Sequence, residues 1–315
     1  MTLRRLGSTD LKIAPLVLGG NVFGWTADRD VGFAVLDAFV EGGGTMIDTA
    51  DVYSAWVDGH SGGESETMIG EWLRSSGKRD KVVIATKVGM LPGEGGEKLA
   101  PARIAAACDA SLRRLGVDHI DLYYAHQDDE SVPQEEMLAA FGRLIDAGKI
   151  GVLGASNFTA ARLKSAVDLS RDGSLPRIHV LQPEYNLVSR HRFEGELQDF
   201  CVTENIAVLP YYGLASGFLT GKYRSRDDLG KSVRGGRMAD LLDGKGADML
   251  AAMDEVAAET GATPAQIALA WLIAQPGVTA PIASATSVDQ LHDLLPAMTL
   301  DLSKEQLERL TDAGA

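Results

Sequence analysis

The chain has 315 residues, 45% of them hydrophobic, enough for one large core or two ordinary ones. Its 30 basic and 44 acidic residues give a formal charge of -14 with no Lys/Arg-rich run, which argues against nucleic acid and anionic membrane as partners. Cys108 and Cys201 lie far apart inside apolar helical patterns and read as buried thiols of a reducing compartment, with neither a disulfide nor a metal site.

Residues 3 to 14 alternate apolar and polar on both sides of Gly7-Ser8-Thr9-Asp10, the pattern of a β-hairpin that could plug one end of a barrel. Leu3-Arg4-Arg5-Leu6 leads into polar residues without the apolar centre of a signal peptide, and no apolar run is long enough to span a bilayer; a cytoplasmic location is expected. A first buried strand follows at Leu16 to Gly20, then a helix from Asp30 to Glu41 that stops at Gly42-Gly43-Gly44. The same unit recurs: strand 45–48 with helix 64–74, strand 82–87 with helix 101–115, strand 120–125 with helix 134–146. Strand 150–155 precedes a helix from Ala160, strand 178–182 one from Arg192, and strand 206–210 a long excursion and a helix from about Asp248. The last strand, 278–282, precedes a helix from Val288; Thr263-Pro264 to Ala274 and Ser303 to Thr311 read as extra helices, the latter with Gln306 three residues after a Ser303 cap. Continuous apolar strands alternating with helices imply parallel strands buried on both faces, and a closed (β/α)8 TIM barrel spanning 1–315 as one domain is the economical arrangement. An open doubly wound sheet is the alternative, but no GxGxxG opens a helix. Residues 213 to 246 exceed ordinary connections and read as a functional or disordered surface loop on the catalytic face.

Four polar residues stand at or just beyond strand ends, where barrel enzymes hold their chemistry: Asp48 and Tyr53 in Asp48-Thr49-Ala50-Asp51-Val52-Tyr53, Lys87 after Ala85-Thr86, and His126 after Tyr124-Ala125. A lysine beside a phenol is expected to lower the phenol's pKa, a carboxylate to hold the ammonium in place, and a histidine to orient a substrate oxygen. The set suits proton transfer to a carbonyl oxygen as a hydride reaches carbon. The other five histidines, among them His60 and His119, have no comparable partners and read as structural.

These blocks resemble the aldo-keto reductase family in order along nearly the whole chain, together with Gly154-Ala155-Ser156-Asn157-Phe158, Gln182-Pro183-Glu184-Tyr185-Asn186 and Gly217-Phe218-Leu219-Thr220-Gly221-Lys222-Tyr223. The resemblance implies a nicotinamide dinucleotide extended across the carboxyl ends of the strands. It makes Tyr53 the general acid in reduction and base in oxidation, Lys87 and Asp48 its tuning groups, and His126 the residue that positions the carbonyl. By the same resemblance Ser156, Asn157 and Gln182 face the nicotinamide carboxamide, Tyr211 stacks on its ring, and Leu214, Ser216, Gly217 and Lys222 follow the pyrophosphate. Gly20 and Asn21 complete the set beyond the first strand.

One block departs from the family. Ala283 to Gln290 aligns with the segment that usually offers Lys or Arg to the adenosine 2′-phosphate, and here Ser284, Thr286 and Gln290 supply only hydroxyl and amide groups, with Asp289 beside them. NADP(H) is preferred on family habit, and NAD(H) stays open. Phe23, Trp25 and Trp56, with Val22, suggest an apolar, partly aromatic pocket for a small-molecule carbonyl or alcohol. Two other functions stay in view: a cofactor-holding regulatory or sensor subunit like the potassium-channel β-subunits of the same superfamily, and a barrel lyase forming a Schiff base on Lys87. Nothing in the sequence fixes an oligomeric state.

Overall fold

The structure, a computed structural model, describes residues 2–231, 239–242 and 244–314. The hairpin forms as expected: β1 (Arg4–Arg5) pairs antiparallel with β2 (Lys12–Ile13), Arg4 opposite Ile13. Eight parallel strands follow, β3 (Val17–Gly19), β4 (Met46–Asp48), β5 (Val83–Val88), β6 (Ile120–Ala125), β7 (Ile150–Ser156), β8 (Ile178–Gln182), β9 (Ala207–Val208) and β10 (Ile282–Ala283). They hydrogen-bond in the order β10-β3-β4-β5-β6-β7-β8-β9. The ends of this sheet meet: Thr279 N donates to Val208 O and Ile282 N to Pro210 O, both at 2.8 Å, so the sheet curls into a (β/α)8 barrel.

The last two strands are shorter than the sequence suggests. Pro210 and Pro281 lack the N–H that a central ladder needs, so β9 stops at Val208 and β10 begins at Ile282, leaving Val278 as an isolated bridge to Val208.

The helices are α1 (Arg29–Glu41), α2 (Glu64–Ser76), α3 (Pro101–Leu115), α4 (Gln134–Asp146), α5 (Ala160–Leu169), α6 (Glu196–Thr203), α7 (Ala239–Leu242), α8 (Lys245–Thr260), α9 (Pro264–Ala274), α10 (Val288–Leu294) and α11 (Lys304–Ala313). Caps mark several starts: Asp28 accepts from Val31 N, and Thr263 with Gln266 and Ser303 with Gln306 form capping boxes. α6 starts at Glu196 rather than Arg192, because Gly195 at φ 88 holds a backbone conformation that no helix contains. α9 is the helix laid directly on the barrel after β9, with Leu269 and Leu272 against Gly213, and α8 packs outside it beside α11. The segment 213–246 is less irregular than expected, with 3-10 turns at Ala215–Thr220 and Arg226–Lys231; its residues 232–238 and 243 lie outside the described residues.

Two apolar layers hold the barrel. Inside, Val17, Met46, Ala85, Leu122, Val152, Val180 and Ile282 form one cluster, joined by Leu6 and Ile13 of the hairpin, which thereby plugs the amino-terminal end. Outside, the opposite faces of the strands pack on the helices; Cys108 and Cys201 are buried free thiols in this layer, both pushed up to about 12 by burial. Among the described residues no helix is long and apolar enough to cross a membrane.

Candidate active site

The period of two along a strand places the polar groups. Met46, Ala85, Leu122, Val152 and Val180 point into the barrel, so Asp48, Lys87, Tyr124, Gly154 and Gln182, two residues on, point the same way nearer the carboxyl ends. Ser156 and His126 repeat the step once more at the rim. His126 N donates to Val88 O at 2.8 Å, which extends the β5–β6 ladder just far enough to fix its backbone.

Lys87 is the hub. Its Nζ, wholly buried, donates to Asp48 Oδ1 at 2.5 Å, to Thr49 O at 2.7 Å and to Tyr53 Oη at 3.0 Å, which uses all three ammonium protons. Asp48 is buried too, and Gln182 Nε2 donates to its second oxygen at 2.8 Å. The Tyr53 ring stands half-buried above Lys87, edge-on to the His126 ring at 6.1 Å between centroids. Asp48, Tyr53 and His126 line one cleft, whereas Lys87 lies beneath its floor.

Burial alone pushes the Lys87 ammonium down, but the Asp48 carboxylate and Tyr53 outweigh it and hold the group above its ordinary range. The phenol behaves differently from the expectation drawn from the sequence. Burial raises Tyr53 above the usual tyrosine value and wins over the lowering by Lys87, with Asp48 adding to the rise, so the resting group is a neutral phenol able to donate a proton. His126 is driven well below its usual value, first by burial and then by the Lys87 charge, which leaves a neutral imidazole. Its Nδ1 is buried with no hydrogen-bond partner among the described residues.

The cleft is about 790 Å³ and runs from Trp25 and Trp56 past Tyr53 to Thr286 and Gln290. Midway, Ser156 Oγ donates to Gln182 O at 2.9 Å, Asn157 Nδ2 to His126 O at 3.0 Å, and Tyr211 Oη to Asn157 Oδ1 at 2.7 Å. This wall is pre-formed by its own bonds. Leu214, Ser216, Gly217 and Lys222 line the next stretch. Four non-glycine residues here, Asn157, Tyr212, Ala215 and Ser216, have φ between 47° and 58°, a strained conformation that clusters at functional sites. A Cβ on Gly217 (φ 100°) would lie 3.1 Å from Lys222 Nζ, so this glycine leaves the ammonium its place.

At the far end Ser284 Oγ donates to Asn21 Oδ1 at 2.6 Å, and Gln290 Oε1 accepts from Thr286 N and Oγ1 at 2.9 and 3.0 Å. Asp289 is exposed and does not line the cleft, whereas Asp293, four residues on, does. Two sequence assignments need correction. Phe23 is wholly buried in the helix-facing core, because the chain turns after Gly20 (Phe23 N to Gly20 O, 3.0 Å) and the strand alternation ends. Gly20 sits behind the cleft wall, its N–H bonded to Asp48 O at 2.7 Å and its carbonyl to Ser65 Oγ at 2.8 Å. Residues not anticipated also line the cleft: Met90, Tyr212 and Asp293, of which only Tyr212, next to Tyr211, carried a signal in the sequence. At the other end Trp56 joins Tyr53 (6.1 Å) and Trp25 (5.6 Å) in an edge-to-face series, and Trp56, Met90 and Tyr212 are unusually exposed for such side chains.

Comparison with known proteins places the chain in a family. Residues 15–315 match the model of the aldo/keto reductase family. The chain is 33% identical over 314 residues to an uncharacterized oxidoreductase of Bacillus subtilis, YrpG, covering 98% of this chain and 94% of that protein. It is 30% identical to the L-glyceraldehyde 3-phosphate reductase of Escherichia coli (98% and 91% covered) and 31% identical to a probable voltage-gated potassium channel subunit beta of Arabidopsis thaliana (95% and 91% covered). The strand-end side chains, the closed parallel barrel and these end-to-end matches lead to one conclusion: the chain belongs to the aldo/keto reductase family of oxidoreductases.

Proposed function

We propose that this oxidoreductase reduces a carbonyl compound, or oxidises the corresponding alcohol, with Tyr53 as the group that gives or takes the proton. The observation that carries the proposal is the Lys87 ammonium held between Asp48 and the Tyr53 hydroxyl, with the phenol neutral and facing the cleft. As the phenol loses its proton to a substrate oxygen, the 3.0 Å contact becomes a charge-assisted bond to a fixed ammonium, so Lys87 stabilises the phenolate only when it forms. His126, neutral and at the rim, is suited to donate a hydrogen bond to the same oxygen and orient it. A bound nicotinamide dinucleotide supplies the hydride.

The cleft has the chemistry to hold such a cofactor. Ser156, Asn157 and Gln182 present amide and hydroxyl groups suited to a carboxamide, Tyr211 an aromatic face, and Lys222 a positive charge beside the strained 215–217 turn for a pyrophosphate. We place Asn21, Ser284, Thr286 and Gln290 at the adenosine end. NADP(H) remains the preferred form on family habit, while Asp293 at that end opposes a further phosphate and favours NAD(H). The substrate body lies among Trp25, Trp56, Met90 and Tyr212, which suits an apolar or aromatic carbonyl compound. A Schiff base on Lys87 fits poorly, since the amine is buried, fully bonded and held protonated.

The test is to titrate the purified protein with NADPH and separately NADH, following nicotinamide fluorescence, and then to add an aromatic aldehyde such as 4-nitrobenzaldehyde. Saturable cofactor binding followed by aldehyde-dependent oxidation is the expected outcome; binding of neither dinucleotide overturns the proposal. A second reading, a cofactor-holding subunit with little turnover, draws on the plant relative and predicts tight binding without oxidation.

A further inference from the structure

The turn after β4 that carries Tyr53 has a second face, and on it lies a buried charged cluster that the proton-transfer chemistry does not use. Asp51 is wholly buried; its Oδ2 accepts from Arg103 Nη2 at 3.3 Å, while Oδ1, equally buried, has no hydrogen-bond partner among the described residues. Arg103 sits in the first turn of α3 and is itself buried. Two further N–H groups go to the loop after β5: Nε donates to Leu91 O at 3.0 Å and Nη1 to Glu94 O at 3.3 Å. A Cβ on Gly93 would come within 2.7 Å of Nη1, so the loop is moulded around the guanidinium. That loop presents Met90 to the cleft, exposed at 39% although it is large and apolar.

A guanidinium taken out of water needs several partners, and a loop of this composition (Gly89-Met90-Leu91-Pro92-Gly93-Glu94-Gly95-Gly96) has little intrinsic reason to hold one shape. Arg103 meets both needs at once. We infer that Asp51 and Arg103 are positioning residues for the substrate end of the cleft: their ion pair ties the turn that presents Tyr53 to the loop that presents Met90. The inference rests on Tyr53 and Met90 facing a common substrate.

The pair also responds to pH. Burial, then the Glu66 carboxylate, push the Asp51 carboxyl up to about 7 against the opposing pull of Arg103 and Arg114. Glu66 on α2 is bonded to Thr86 Oγ1 and Arg114, and the Tyr123 hydroxyl and the Cys108 thiol, which also face the cluster, are both buried and held neutral. Asp51 therefore grips Arg103 as a full ion pair above neutrality and only as a neutral acid below it.

The test uses the full chain with Asp51→Asn, Arg103→Lys, Met90→Ala and the double variant Asp51→Asn/Met90→Ala. Amide hydrogen exchange of residues 89–98, corrected for intrinsic rates, reads the coupling without any turnover; it is expected to quicken about tenfold in Asp51→Asn and in Arg103→Lys, which cannot reach three acceptors. In wild type the same amides exchange faster at pH 6 than at pH 8, and in Asp51→Asn that difference disappears. With 4-nitrobenzaldehyde, KM rises about fivefold in Asp51→Asn with kcat within about twofold, and adding Met90→Ala raises it little further. Unchanged exchange in both folded single variants overturns the inference, as do KM effects of Asp51→Asn and Met90→Ala that simply multiply. If wild type turns over no aldehyde while the exchange changes occur, the coupling stands and the proposed function falls. Should Asp51→Asn fail to fold, Arg103→Lys carries the test alone.

Discussion

Gln182 donates its side-chain amide to Asp48 Oδ2 at 2.8 Å from 134 positions away in the chain. The bond fixes the carboxylate that fixes Lys87, and it leaves both oxygens of the buried Asp48 occupied. Gln182→Leu strips that donor from a buried charge, which costs about 1–3 kcal/mol of stability. The freed carboxylate also loosens Lys87, so kcat for aldehyde reduction falls along with the urea midpoint. Wild-type kcat in a Gln182→Leu variant of reduced stability would show that Asp48 needs no second anchor.

The buried ion pair makes an asymmetric prediction. Lys87→Met leaves the Asp48 carboxylate buried without its counter-charge and is expected to lose about 3–5 kcal/mol. The double variant Lys87→Met/Asp48→Leu removes both charges and recovers a good part of that loss. Urea unfolding of the two variants checks the order; a double variant less stable than the single one contradicts the account of the pair.

His126 stays neutral across the working range. Its folded pKa lies well below the usual value, so it contributes stability that is present above the unfolded value of about 6.5 and is lost as pH falls through the lower folded value. The pH profile of kcat/KM should accordingly show no ionisation that belongs to His126: the shallow inflection near 7 expected of Asp51 is lost in Asp51→Asn and kept in His126→Gln, which lowers kcat/KM about 100-fold. A wild-type inflection near 6.5 that vanishes in His126→Gln would mean the imidazole titrates where this structure says it does not.

Much of the site is legible in the sequence because strands have a period of two and end at definite residues. Asp48 and Lys87 stand out as polar residues that close apolar strand runs, and the resemblance of the surrounding blocks adds Ser156, Asn157, Gln182 and Tyr211. Legibility stops where the strand does. Phe23 lies past the end of β3, where the backbone turns and swings the ring into the helix-facing layer. The direction of the Tyr53 shift depends on how deeply the hydroxyl is buried, which no neighbouring residue type reveals. Asp51 and Arg103 meet across 52 positions, and the left-handed backbone at Asn157 and Ser216 is set by tertiary contacts, so neither has a local signature.

The central claim is that the Tyr53 hydroxyl moves the proton. Tyr53→Phe keeps the ring against Trp56 and His126 and removes only the oxygen that Lys87 holds. Measured with a saturating dinucleotide and an aromatic aldehyde, kcat should fall on the order of 10³-fold while the Kd of the dinucleotide stays within about twofold. Turnover by Tyr53→Phe close to that of the wild type would contradict the mechanism, whatever cofactor the cleft prefers.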